Sequence, residues 1–309
     1  MSLSVYFARR LLQMIPVLLG VVFIVFSLLH IVPGDPAQIM AGERADPAQL
    51  ERVRSRLGLD DPLYIQYGRY LGNAVRGDLG ESVRNNRPVT QEIFSARYWI
   101  TLQLAVMSIA LAIFIGMIAG IVSAIWRYSV FDTVIMLIAL FGLSMPNFWL
   151  GIMLIYWFSV QLSILPAAGW GSVNQAILPV ITLGTAGAAV IARMTRSSML
   201  EVINQDYIRT ARAKGVREAV VINKHALRNA MIPVVTVVGL QFGFFLGGSV
   251  LTETVFAING LGRLMVSAIY ARDFPVVQGA VLVASVSFML VNLFVDMTYK
   301  LLNKRIELN

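Results

Sequence analysis

Long runs without a single charge alternate with short charged segments along this chain. Leu11 to Ile31, Tyr98 to Trp126, Asn229 to Thr252 and Phe274 to Val295 contain no Asp, Glu, Lys or Arg. Crossing roughly 30 Å of hydrocarbon takes about 20 apolar residues in a helix, so each run is long enough for one span. Thr133 to Ala192 is also free of charge and can hold two spans if the chain turns in LPAAGWGSVNQ, residues 165 to 175. The pattern predicts an all-α integral membrane protein with six transmembrane helices, a small helical loop domain after the first span, and a long basic loop after the fourth.

The loop after the first span, residues 32 to 97, begins with PGDP (33 to 36) and offers two short helices. Asp46 can cap the first, with Pro47 at its first position and Leu50, Val53 and Leu57 on one face before Gly58. Asp61 and Pro62 are expected to start the second in the same manner, with Tyr67, Leu71 and Val75 as its stripe. The resulting boundaries are 1 to 31 for the tail and first span, 32 to 97 for the loop domain, 98 to 300 for spans two to six, and 301 to 309 for the tail. Residues 201 to 230 form the basic loop within the third region.

Composition agrees with the pattern. The 309 residues are 57% hydrophobic and only 14% charged, with a mean hydropathy of +0.72, too apolar for a soluble globular chain. Arg9 and Arg10 precede the first run as in a signal peptide, but 21 residues is beyond the usual apolar core and no clear cleavage site follows, so it is read as a retained anchor.

Charge sets an orientation. With the N-terminus in the cytoplasm, residues 1 to 10, the loop near Arg127, residues 193 to 228 and the C-terminal tail carry the whole net charge of +8. The loop from 32 to 97 balances nine Arg with nine acids, and the only Lys or Arg in the other outer segments, Arg263 and Arg272, are offset by Glu253 and Asp273. The positive-inside rule therefore predicts cytoplasmic termini, and the membrane accounts for the basicity without a nucleic-acid partner.

Small residues recur at intervals of four: Gly239, Gly243 and Gly247 in the fifth span, Gly116 and Gly120 in the second, Gly184, Ala188 and Ala192 in the fourth. Such faces let helix backbones approach closely, within the chain or across subunits. Pro146, Pro179 and Pro233 kink or begin helices.

Little catalytic chemistry is legible. With no Cys, and His30 far from His225, no metal site is expected. Serine-hydrolase elbows and HExxH helices are absent, leaving no constellation for a membrane-embedded hydrolase. At the nearest approach to a phosphate-binding loop, Gly72 to Gly77, Asp78 stands where a lysine is needed, so no ATP site is expected in this chain. Ionisable groups are scarce within the spans. That disfavours a stand-alone secondary transporter or channel, the alternative function, and suggests that another subunit supplies the energy.

The stretch QDYIRTARAKGVREAVVINKHALRNAMIPVV, 205 to 235, gathers six of the 25 Lys and Arg residues. Tyr207, Ile208 and Ala211 share one side of a short helix, Gly215 can end it in the left-handed conformation, and Val216 to Arg228 can form a second helix. A helix, a Gly hinge and another helix make a geometry suited to a lever seated in a partner's groove.

DYIRTARAKG followed by HALRNAMIPVV resembles the cytoplasmic coupling loop of ABC importer permeases of the dipeptide, oligopeptide, glutathione and nickel group. ARRLLQMIP, HIVPGDP, LGLDDPLYIQYGRYL, GDLGES, ARMTRSSMLEV, LTETVFAINGLGRL and RDFPVVQG follow that group's pattern in order along essentially the whole chain. The chain departs from the general importer motif at Arg209 and Thr210, as the peptide group usually does, and carries Lys304 where Pro is frequent.

The resemblance implies a non-enzymatic permease subunit of the bacterial inner membrane for short peptides or similar solutes. It also implies a homologous second permease in a heterodimer, two ATPase subunits carrying ATP and Mg, and an extracytoplasmic binding protein. Arg209, Ala211, Lys214, Gly215 and Arg228 are expected to couple to the ATPases, although each cation could equally face headgroups or solvent. Ser144, Asn147, Gln241, Ser249 and Glu253 are the polar candidates for the pathway, or else for interhelical hydrogen bonds.

Overall fold

A computed structural model describes residues 3–31, 35–42 and 45–302. The NKRI segment at 303 to 306, the end of the tail and the first two residues of PGDP lie outside them. In chain order the helices are α1 (Leu3–Ile31), α2 (Pro36–Ala41), α3 (Pro47–Leu57), α4 (Leu63–Val75), α5 (Val89–Phe94), α6 (Arg97–Ile125), α7 (Val130–Ser144) and α8 (Asn147–Leu154). Then come α9 (Val173–Ile203), α10 (Asp206–Ala213), α11 (Glu218–Val220), α12 (Leu227–Val255), α13 (Leu261–Tyr270) and α14 (Phe274–Leu302). Two π-helical turns extend these, Ile155–Gln161 after α8 and Val221–Ala226 before α12.

Among the described residues, five helical stretches are long and apolar enough to cross a membrane, and a bent pair makes a sixth if it is one span. The break falls at Pro146, one of the prolines expected to kink or begin a helix. α7 and α8 meet at 100° across Met145 and Pro146. Proline disfavours helical geometry in the residue before it, and Met145 is extended at φ −79°, ψ 126°. Pro146 then begins α8.

The chain falls into two compact units: Met1–Thr101 with Asn259–Met289, and Leu102–Ile258 with Leu290–Asn309. In the first, the helices of the 32 to 97 loop do not stand apart. Leu79, Val89 and Ile93 share a buried cluster with Leu261, Ala268, Val276, Val277 and Ala280. Gly279 permits the approach, since a Cβ there would lie 2.5 Å from Val89 Cγ1. Asp46 caps α3 reciprocally with Gln49, and Gly58 closes that helix at φ +62°. Asp61 does not cap α4, whose N-cap is Pro62. Its carboxylate instead takes Arg69 Nη2 at 2.6 Å, and its carbonyl accepts from Gln66 Nε2 at 2.8 Å.

In the second unit α9 is the central post. A Cβ on Gly116 would lie 2.7 Å from Ala188 O, one on Gly120 2.6 Å from Ala192 O, and one on Gly184 3.0 Å from Ser108 O. The small-residue faces of α6 and α9 therefore pack on each other, backbone close to backbone. The 165 to 175 turn is fastened by Gly169 N donating to Phe256 O at 2.9 Å and Trp170 Nε1 to Gln103 Oε1 at 3.1 Å.

Candidate functional site

The basic loop leaves α9 at Asn204 and turns at once into the amphipathic α10. Ile208 is fully buried and Ala211 half-buried, whereas Arg209, Thr210, Arg212, Ala213 and Lys214 are exposed. Beneath α10, Ile208 joins Ala124, Met199, Val221, Ala226 and Ala230 in one apolar cluster. That cluster fastens α10 to the ends of α6 and α9 and to the start of α12. Displacing α10 would therefore uncover apolar surface or carry these helix ends along with it.

Gly215 follows in the left-handed region at φ +75°, its N–H donating to Arg212 O at 2.9 Å, and Val216 N closes on Ala211 O at 3.2 Å. This is the Gly-terminated helix end that the sequence suggests. The second helix differs from expectation. It is not a separate rod from Val216 to Arg228: α11 is a single turn that passes through the π turn directly into α12, so Arg228 lies on α12 itself. Apolar Val221 and Ala226 are buried here, and turning back between Arg228 and the fifth span would uncover them. A π turn holds an extra residue in the helix at this junction.

Polar contacts brace the loop from outside. Arg212 forks onto Glu218 through Nε at 3.1 Å and Nη2 at 2.7 Å, across the Gly215 turn. That hydrogen bond holds the Arg212 guanidinium above its ordinary pKa. Asn229 Nδ2 donates to Tyr207 Oη at 2.8 Å, tying α10 to α12. Arg209 lies 3.6 Å from Asp206, and Lys214 and Arg228 are exposed. The arrangement presents cationic groups outward from a rigid, apolar-backed element. The clustered groups are suited to docking against another protein, with no nucleophile and base among them.

The pathway candidates separate into two sets. Ser144 and Asn147 flank the 100° bend, the first exposed with Oγ donating to Leu140 O at 2.9 Å, the second half-buried. Gln241, Ser249 and Glu253 lie on α12. Gln241 is half-buried, whereas Ser249 and Glu253 are fully buried and Ser249 Oγ donates to Glu253 Oε1 at 3.0 Å. The last pair thus faces protein within this chain. Of the packing glycines, Gly239 abuts Val295 and Gly243 is buried, but a Cβ on Gly247 would meet nothing within 4 Å.

Residues 3–105 match the N-terminal membrane component of binding-protein-dependent transport systems, and residues 112–308 match the binding-protein-dependent transport system inner membrane component. The chain belongs to this family of ABC importer permeases. It is a multi-pass inner-membrane transport subunit and not an enzyme; ATP hydrolysis lies in separate subunits, and the family works with ATPase and binding-protein partners. The permease is 52% identical over 302 residues to the glutathione transport system permease protein GsiC of Pectobacterium atrosepticum, covering 98% of each chain. It is 51% identical over the same coverage to GsiC of Escherichia coli K12. A chain of the MetNI methionine ABC transporter in inward-facing conformations shares the fold, with TM-score 0.59 and 20% identity over 68% of the permease and 95% of that chain. So does a chain of an amino acid ABC transporter with histidines, with TM-score 0.55 and 14% identity over 75% and 97%.

Two polar clusters escape a reading of the permease sequence. Asp132 in the first turn of α7 is buried and forks with Arg196 of α9, Nε at 2.7 Å and Nη2 at 2.6 Å; it also accepts from Ser123 Oγ and from Tyr128 N at 2.9 Å. Ser129, three residues earlier, was the available signal, since its Oγ caps the helix at Asp132 N. Asp273 accepts from Ser82 Oγ at 2.5 Å and from Val83 N at 3.2 Å. Two of the sequence blocks, GDLGES and RDFPVVQG, are therefore joined in space. Nothing in either block alone announces the other.

Proposed function

We propose that this permease carries short peptides of the glutathione class and that the loop from Gln205 to Arg228 transmits closure of two ATPase subunits to the membrane helices. The substrate reading rests on one observation, the 52% identity with a glutathione permease across 98% of both chains. The coupling reading is supported by α10, whose apolar face is bound into three helix ends while Arg209, Lys214 and Arg228 stay exposed. Ala211 and Gly215 set the seat and turn of that lever. ATP and Mg sit on the ATPase subunits.

Charge supports cytoplasmic termini. Arg127 Nη1 reaches Asn204 Oδ1 at 3.4 Å, so two loops assigned to the cytoplasm meet at one end of their unit. The second permease is a homologous, non-identical subunit. Exposed Gly247, together with Ser144 and Asn147 at the bend, supplies faces for that partner or for the pathway. Alternating access is then a shift between two packings of these helices.

The test is uptake into proteoliposomes containing both permeases, the ATPases and the binding protein. Labelled glutathione and an unmodified dipeptide should enter in an ATP-dependent, vanadate-sensitive way that survives an uncoupler. Entry of neither solute, or collapse with the uncoupler at constant ATP, contradicts the reading.

A further inference from the structure

Arg212 gives Glu218 a two-pronged contact, Nε to Oε2 at 3.1 Å and Nη2 to Oε1 at 2.7 Å, although both side chains are open to solvent. Exposed ion pairs contribute little to stability, and the apolar cluster around Ile208 already seats α10. What distinguishes this pair is what it joins. Arg212 lies in the last turn of α10 and Glu218 in the first turn of α11, each the charge that its helix end favours. α11 is the tip of one helical stretch that continues from Glu218 through the π turn to Gly247 in the fifth span. The fork therefore ties the short helix to the end of a helix long enough to cross the membrane.

A second polar contact ties the other end of α10 to the same helix. Asn229 Nδ2 donates to Tyr207 Oη at 2.8 Å and is itself oriented by His225 O at 2.9 Å. Tyr207 and then Arg212 meet Asn229 and then Glu218, so α10 runs antiparallel to the longer helix. Between the two contacts Ile208 packs with Val221 and Ala226 of the π turn. Attachment to α9 differs in kind. It consists of Asn204, extended Gln205 at φ −70°, ψ 150°, and apolar contact with Met199. The side-chain hydrogen bonds and ion pairs that leave α10 go to Glu218 and Asn229, and among the described residues none goes to α9. Apolar faces can slide on one another, whereas directional contacts at both ends of a helix fix its register.

We propose that Arg212 and Glu218 are positioning residues for coupling. Their contact, with Tyr207 and Asn229 at the far end, clamps α10 to the loop end of the fifth span, so a displacement imposed on α10 reaches α12 as motion of one body. The inference rests on the reading of Gln205 to Arg228 as the coupling loop, and adds which span receives the motion and through which side chains. Loss of such a clamp leaves the chain as stable as before while ATP hydrolysis is no longer matched by transport.

The test has two arms, both in the complete transporter. The first measures labelled glutathione imported per ATP hydrolysed in proteoliposomes. Arg212→Gln and Glu218→Gln should each lower that ratio by about fivefold, with insertion and thermal midpoint at wild-type levels, and the charge exchange Arg212→Glu with Glu218→Arg should restore it. The second arm needs no solute: spin labels at Ala213→Cys and Asn223→Cys, in a transporter otherwise free of cysteine, should keep one distance when ATP and vanadate are added. That distance should broaden in Glu218→Gln. Wild-type coupling in both neutral variants, a charge exchange as poor as they are, or a label distance that shifts with ATP and vanadate overturns the clamp. If Gly215→Pro still uncouples in any of these cases, the loop reading stands without it. Normal coupling in Gly215→Pro as well overturns the loop reading itself.

Discussion

Asp132 and Arg196 form the most tightly built polar contact among the described residues of the second unit, and they fix α7 against α9 where a salt bridge is poorly solvated. The carboxylate is buried and accepts from four donors, so removing its charge strands a largely enclosed guanidinium. Asp132→Ala should destabilise the permease by about 3 kcal/mol, seen as a lower midpoint in a thermal scan of the nanodisc-embedded protein. Restoring part of that loss by adding Arg196→Met would show that the stranded charge carries the cost; no recovery would locate it elsewhere. Gly215 sets a different limit. Its φ of +75° is closed to proline, which is held near −65°, and the Gly215 N–H is in use. Gly215→Pro should insert at normal levels yet lose most ATP-driven uptake while the ATPases continue to turn over. Normal uptake would contradict a lever at this position.

Helix packing was legible in sequence to the extent that it depends on backbone approach. Gly116, Gly120 and Gly184 carry no side chain to hide the contact, and their four-residue rhythm marks the α6 and α9 seam directly. Gly120→Ala should cost on the order of 1–3 kcal/mol, because the added carbon meets both Ala192 O and Thr195 Cβ within 2.6 Å. Gly247→Ala should leave the stability of the isolated chain unchanged, since the space around it is open. A loss of complex yield without a loss of chain stability would place a partner on that face. The 100° bend and the continuity of α11 with α12 were not legible. Proline at 146 announced a break but no angle, and the π turn at Val221–Ala226 has no periodic signature distinct from a helix. Long-range polar pairs such as Asp273 with Ser82 fail for another reason. They join positions 191 residues apart, and a single sequence holds no record of which distant groups meet.

Across the whole molecule, the unbroken spans, their order and the charge asymmetry were carried by composition and length alone, which the bilayer constrains strongly. The outer loop was harder to place, because its helices complete a core with residues 261 to 282 and do not close one of their own. At this scale the proposed coupling makes the basic loop the contact through which ATPase closure reaches the permease. The sequence has no cysteine, so a single thiol reports without a background. Lys214→Cys and Arg209→Cys, probed with a short bifunctional thiol reagent in the assembled transporter bearing single cysteines on its ATPase subunits, should each cross-link to an ATPase subunit. The yield should change when ATP and vanadate are added. Absence of cross-links from both positions, in a transporter that still takes up solute, would contradict the account.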